Sequence, residues 1–121
     1  MFKKLECVCI HTNDIDQSLT FYASMGLRKH WEIQRPLDNG LTWRLLGLQF
    51  PQGAGSELVL SNHPDNRFTE IEILVDDVQE ACATLSGNPA VKWIRTPFAT
   101  ESGHVAVMEA PDGNVFVLVG P

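Results

Sequence analysis

Apolar and polar positions along the chain change period twice, and the two changes match. Cys7 to His11 is a short, β-prone run. After it Ile15, Leu19 and Tyr22 recur at i, i+4 and i+7, which is one face of a helix. Asp14 with Gln17 reads as a capping box, the carboxylate accepting from backbone N–H groups that the first turn leaves unpaired. Gly26 supplies the left-handed turn that stops the helix. The same grammar returns at Glu70: Glu-Ile-Glu-Ile-Leu-Val, then Asp77 with Glu80, then Val78, Cys82 and Leu85. One offset carries Cys7 onto Glu70, Asp14 onto Asp77, Ile15 onto Val78, Leu19 onto Cys82 and Tyr22 onto Leu85. The pattern predicts a duplicated module.

The remaining elements follow from strand runs and their breakers. Leu27 to Arg35 reads as a strand ended by Pro36, Asp38-Asn39-Gly40 as a turn, and Leu41 to Phe50 as the next strand. Residues 51–55 form a loop by their glycines and proline, and Ser56 to Ser61 a fourth strand. Residues 62–66 are polar and turn-rich, so the modules are expected at about 1–62 and 67–121. The second comprises the strand Phe68 to Val75, the helix Val78 to Leu85 stopped near Gly87, and Val91 to Thr96 closed by Pro97. It ends with His104 to Glu109, the Pro111-Asp112-Gly113-Asn114 turn and Val115 to Val119. Each half reads strand, helix, then three strands. The fold class is therefore α+β: two βαβββ modules, expected to pair curved sheets around a cleft.

Composition narrows the function classes. A chain of 121 residues with 44% hydrophobic content suits one compact domain with a core of its own. Nine basic against fifteen acidic residues leave a net charge of -6, which repels phosphate backbones; no nucleic-acid partner is expected. No run reaches the ~20 apolar residues of a membrane span, and the opening run is broken at Glu6 and His11, unlike a secretory signal. Three cysteines, an odd number, suit reduced thiols in a cytoplasmic protein. Cys7 and Cys9 share a strand face, either as a clamp for a soft metal or as two small buried hydrophobes.

Asp14-Ile15-Asp16-Gln17-Ser18-Leu19-Thr20-Phe21-Tyr22 with Gly26-Leu27, and Ala110-Pro111-Asp112-Gly113-Asn114 before the last strand, resemble the vicinal oxygen chelate superfamily. That superfamily holds glyoxalase I, bleomycin-resistance proteins and extradiol dioxygenases. The resemblance, with the duplication, spans essentially the whole chain. It implies metal ligands from the first and fourth strand of each module, at positions that here hold Cys7, Val59, Glu70 and Val117. Glu57 lies two residues before Val59 on the same face. Two valines bring no lone pairs, so no cofactor and no family-type metal is expected. An improvised metal set would be His11, Glu57 and Glu70.

The resemblance also puts Trp31, Arg35 and Trp43 on the cleft and makes His11 a substrate contact. Glu70 and Glu72 point inward, either as ligand contacts or as carboxylates bonded to neighbouring groups. Trp93 has no assigned face, and His30, His63 and His104 read as surface or packing residues without partners at ligand spacing. Aromatic walls with a few polar groups suit planar organic ligands, although core filling is the simpler role for each ring. The expected function is binding or sequestering an apolar, aromatic or cationic small molecule, as a homodimer, with catalysis left open. The rival is a divalent-metal lyase, isomerase or dioxygenase. A third reading is a partner protein whose cleft binds nothing.

Overall fold

The computed structural model describes residues 1–53 and 55–121, so Ala54 of the expected 51–55 loop lies outside the described residues. In chain order the elements are β1 (Phe2–His11), α1 (Ile15–Ser24), β2 (Arg28–Pro36), β3 (Thr42–Gln49) and β4 (Glu57–Ser61). Then come β5 (Glu70–Val75), α2 (Val78–Leu85), β6 (Lys92–Thr100), β7 (Gly103–Glu109) and β8 (Val115–Gly120). Each half is strand, helix, three strands, as the duplicated pattern requires. The chain divides into two compact units, Cys7–Thr69 and Glu70–Pro121, the latter joined by Met1–Glu6.

β1 therefore begins five residues earlier than expected. Its charged N-terminal half has partners in the second unit, where Lys3 Nζ lies 3.6 Å and the terminal amine 3.9 Å from Asp76. Both ends of α1 follow from the sequence. Asp14 caps it by accepting from the Gln17 N–H at 3.0 Å. The reciprocal half of the box is replaced, because the Asp14 N–H donates to Thr12 Oγ1. At the other end Gly26 (φ +96°) turns the chain, while the Leu27 and Gly26 N–H groups return to the Tyr22 and Ala23 carbonyls.

In the first unit the strand order is β2-β3-β4-β1, with β1 and β4 parallel and the other pairs antiparallel. One face buries Leu46, Leu48 and Leu60 completely, beneath Ile15, Leu19 and Tyr22 of α1, with Leu27 completing the cluster. Each such leucine contributes about 1.5–3 kcal/mol through its removal from water. At the β2–β3 rim Glu32 accepts from Arg44 Nε (2.8 Å) and Lys29 Nζ (2.5 Å), and Arg44 also reaches Asp16 of α1 at 3.3 Å. The Arg44 guanidinium, with Lys29 beside it, holds the Glu32 carboxyl well below the usual range, at about 2.

In the second unit the order is β5-β8-β7-β6. Val78, Ala81 and Cys82 of α2 pack on Val75, Ala106, Met108 and Leu118. Burial pushes the Cys82 thiol up. Trp93 finds its place here: its ring joins this cluster and its indole N–H donates to Ser86 Oγ at 3.1 Å. β6 is not closed by Pro97 but runs on to Thr100. The ladder shifts register between Arg95 and Phe98, so the proline sits where no bond is asked of it.

Candidate functional site

The face of β1–β4 opposite α1 carries most of the expected site residues, and the register sets them in rows. Cys7 lies opposite Glu57. Cys9 lies opposite Val59, Val59 opposite Gly47 and Gly47 opposite Trp31. His11 lies opposite Ser61, Ser61 opposite Leu45 and Leu45 opposite Ile33. Trp43 lies opposite Arg35. The face is apolar in the middle, where Cys7, Cys9 and Val59 are buried against Trp31 and Leu45, and polar at both ends. None of the three cysteines is in a disulfide, and Cys7 and Cys9 are buried in this cluster.

A β-bulge builds the first polar end. The β2–β3 ladder skips a residue between Lys29 and Trp31, leaving His30 as the extra one. Two residues then oppose one, which brings consecutive side chains to the same side. Both reach Glu57: Trp31 Nε1–H donates to Oε1 at 2.8 Å, and His30 Nδ1 lies 2.5 Å from Oε2. A carboxylate oxygen accepts, so His30 donates to it from Nδ1. The sequence reading of His30 as a residue without a ligand-spaced partner is corrected here, since a bulge leaves no local signature in composition.

Trp31 lies flat because nothing stands under it. A Cβ on Gly47 would sit 2.0 Å from Trp31 Nε1 and 2.2 Å from Cε2. Gly47 was missed by the sequence reading, although a lone glycine within Leu45-Leu46-Gly47-Leu48 is the usual mark of a close approach.

Trp43 repeats the arrangement two rows on. Its Nε1–H donates to Ser61 Oγ at 2.9 Å, so both indoles lean onto β4 and each is fixed by one acceptor there. Ser61 is buried, and its hydroxyl also accepts from the His63 N–H at 3.3 Å. The His63 ring meets Trp43 edge-on, with centroids 4.8 Å apart, and Arg35 Cζ stands 4.7 Å over the Trp43 ring. Because His63 Nδ1 accepts the Asp65 N–H (3.1 Å), its neutral ring carries the proton on Nε2. Ser61 and His63, like His30, join residues expected from sequence: Cys7, His11, Trp31, Arg35, Trp43, Glu57 and Val59.

Glu70, Glu72 and Val117 belong to the second unit. Glu72 lies opposite Val117, on the strand face away from α2, and Glu70 is two residues earlier on that face. Among the described residues, no three of His, Cys, Asp and Glu are grouped so as to hold a metal ion. Likewise no helix among them is long and apolar enough to cross a membrane.

No protein-family model matches the chain, and no curated protein sequence does. Solved structures do. A methylmalonyl-CoA epimerase from Mycobacterium tuberculosis matches with a TM-score of 0.76 at 19% identity, over 99% of this chain and 89% of its own. A hypothetical protein from Bacillus halodurans matches at 0.72 and 20% identity, over 95% and 91%. A methylmalonyl-CoA epimerase bound to methylmalonyl-CoA and NH4+ matches at 0.68 and 18% identity, over 98% and 94%. The fold is that of the glyoxalase-like, vicinal oxygen chelate proteins.

Proposed function

We propose that the β1–β4 face binds a planar organic small molecule against Trp31 and Trp43, with Glu57 as its polar anchor and no metal. The carrying observation is the pair of anchored indoles: each ring has its one polar atom satisfied by β4, so each presents an apolar surface at fixed position. Pre-organised rings lose little freedom on binding, which is where affinity for flat compounds is otherwise spent. Arg35 over Trp43 and the His30–Glu57 pair supply the few polar groups that orient a ligand in such a site.

The donor set supports the absence of a metal from this reading. The positions that the resemblance marks for ligation hold Cys7, Val59, Glu70 and Val117, and two of these are hydrocarbon. Glu57, the carboxylate beside Cys7, already accepts at both oxygens. These residues do not fit an octahedral divalent ion, which takes oxygen and imidazole donors. The shared fold does not carry the epimerase reaction over, because one fold hosts many chemistries.

The test is tryptophan fluorescence titration with aromatic, cationic aromatic and aliphatic compounds. Saturable quenching by aromatic compounds, lost in Trp43→Ala, is the expected result. Quenching by none, or a stoichiometric metal ion that disappears in Glu57→Gln, overturns the proposal.

A further inference from the structure

We infer that the planar ligand of this face is a fused-ring lactam, its ring carbonyl accepting from the Ser61 hydroxyl and its adjacent ring N–H donating to His11. The inference rests on the binding role proposed above and names the ligand class for it.

Ser61 sets the direction of the first bond. Its side chain lies on the strand face away from α1, and the residue is 6% exposed. A hydroxyl has two lone pairs and one proton. Both lone pairs are taken, by the Trp43 Nε1–H at 2.9 Å and the His63 backbone N–H at 3.3 Å. The proton remains, and no acceptor among the described residues receives it. Leaving a buried donor unmade is costly, so the group that meets Ser61 has to be an acceptor. A ligand N–H or O–H placed here would face a hydroxyl with no lone pair left to give.

His11 stands beside it. The parallel β1–β4 ladder pairs His11 with Ser61, and the Thr12 N–H fixes that register by donating to the Ser61 carbonyl at 2.9 Å. Paired residues present their side chains to one face, on strands about 4.8 Å apart. The His11 ring is half-buried and makes no hydrogen bond or ion pair among the described residues. A neutral imidazole keeps one lone pair, which complements a donor on the ligand atom next to the carbonyl. Two adjacent ring atoms, one bearing C=O and the other N–H, therefore match the two strands. That is the edge a cyclic amide presents.

The same row decides the charge. From β1 to β2 it runs His11, Ser61, Leu45 and Ile33, without a lysine or arginine. A carboxylate set between a hydroxyl and a neutral imidazole would lack a cation to offset its desolvation. A neutral carbonyl carries no such cost. The apolar body of the ligand then extends toward Val59, Leu45 and the Trp31 ring, the hydrocarbon middle of the face, which suits a second fused ring.

Calorimetric titration at about pH 8, where an ordinary imidazole is neutral, tests this with 2-quinolone, its N-methyl and 3-methyl derivatives, naphthalene and 2-naphthoate. One neutral hydrogen bond is worth roughly 2- to 10-fold in affinity. The quinolone, with two such bonds, should bind at least about fivefold more tightly than naphthalene. N-methylation should cost one bond's worth, whereas 3-methylation, which adds the same bulk and keeps the N–H, should not. His11→Phe should erase the difference between the two methyl derivatives, and His11→Gln, which keeps an acceptor, should retain part of it. Ser61→Cys, whose S–H is a weak donor, should bring the quinolone toward naphthalene. Thermal melts within a few degrees of wild type establish that each variant keeps the fold, and the comparison of probes on the wild type needs no variant. If naphthalene binds as tightly as the quinolone, if N-methylation changes nothing, or if 2-naphthoate binds best, this inference fails while the binding role stands. If none of the five binds, both fall.

Discussion

Gly47→Ala tests how the site is built, because one methyl group should displace a ring of nine ring atoms. The new Cβ would meet Trp31 Nε1 at 2.0 Å, Cε2 at 2.2 Å and Cδ1 at 2.7 Å. Ordinary carbon contact lies near 3.5–4.0 Å, so the indole must lift by roughly 1.5 Å or swing away. Either motion breaks the 2.8 Å bond from Nε1 to Glu57, since a hydrogen bond tolerates only a few tenths of an ångström. Overpacking of this kind costs about 1–3 kcal/mol, and loss of a bond to a charged acceptor about 1.5–3 kcal/mol. Replacing glycine inside a strand returns about 0.5–1 kcal/mol of backbone entropy. The net expectation is a loss of about 2–4 kcal/mol. For a domain of this size that is a Tm decrease of about 8–16 °C.

The assay is urea denaturation of the wild type, Gly47→Ala, Trp31→Ala and the double variant. With Trp31 gone the three atoms nearest the methyl are gone too, so Gly47→Ala should become neutral or slightly stabilising. The coupling between the two changes should then exceed about 2 kcal/mol. A cost under about 0.5 kcal/mol in the wild-type background would refute the reasoning. So would an equal cost in both backgrounds, which would trace the loss to the strand rather than to the ring.

Four further outcomes are expected. Glu32 titrates at about 2 in the folded chain against 4.5 ordinarily, so its depressed pKa stabilises the fold above about pH 4.5, and that contribution fades as pH falls toward 2. Unfolding free energies from urea titrations should therefore put Glu32→Gln below wild type by about 1–3 kcal/mol at pH 7 and converging with it near pH 2. Asp14→Ala and Asp77→Ala each remove an N-cap bond, of 3.0 and 2.9 Å, and should each cost about 1 kcal/mol in the same assay. Trp93→Phe should leave ligand-induced quenching intact, because that ring packs in the α2 cluster rather than on the β1–β4 face. The Cys82 thiol, pushed up by burial, should react with Ellman's reagent far more slowly in native protein than in urea.

Much of this was legible in the sequence because it is local. Helix starts at Asp14 and Asp77, the stop at Gly26 and the duplicated element order are written in residues a few positions apart. Strand alternation then placed Cys7, Cys9 and His11 on one face, and Trp31, Ile33 and Arg35 on another stretch of it. What was not legible depends on register between strands distant in sequence. His30 reaches Glu57 across 27 positions, and only its place as the skipped residue at the bulge turns it toward that carboxylate. Ser61 and His63 look like a strand end and a linker until Trp43 leans onto them. Pro97 likewise read as a terminator because a bulge that absorbs it has no composition of its own.

The same register explains why the duplicated halves do not carry the same central row. In the first unit the central row runs Cys9, Val59, Gly47, Trp31; in the second, the corresponding row runs Glu72, Val117, Val107, Arg95. Both ladders shift at the same place, between Lys29 and Trp31 and between Trp93 and Arg95, so the backbone device is repeated. The residue facing the bulge differs. Gly47 leaves a flat floor on which an indole can lie and donate to Glu57. Val107 raises two methyl groups there, and the residue paired with it, just after the skipped Ile94, is Arg95, whose guanidinium stacks over Phe98 at 3.9 Å instead. An indole lying flat at this row thus requires glycine and tryptophan together, and the first unit has both. The acceptor differs as well: the β5–β8 register puts Val115 where the first unit has Glu57, so the anchored indole depends on Gly47, Trp31 and Glu57 together and not on the fold alone.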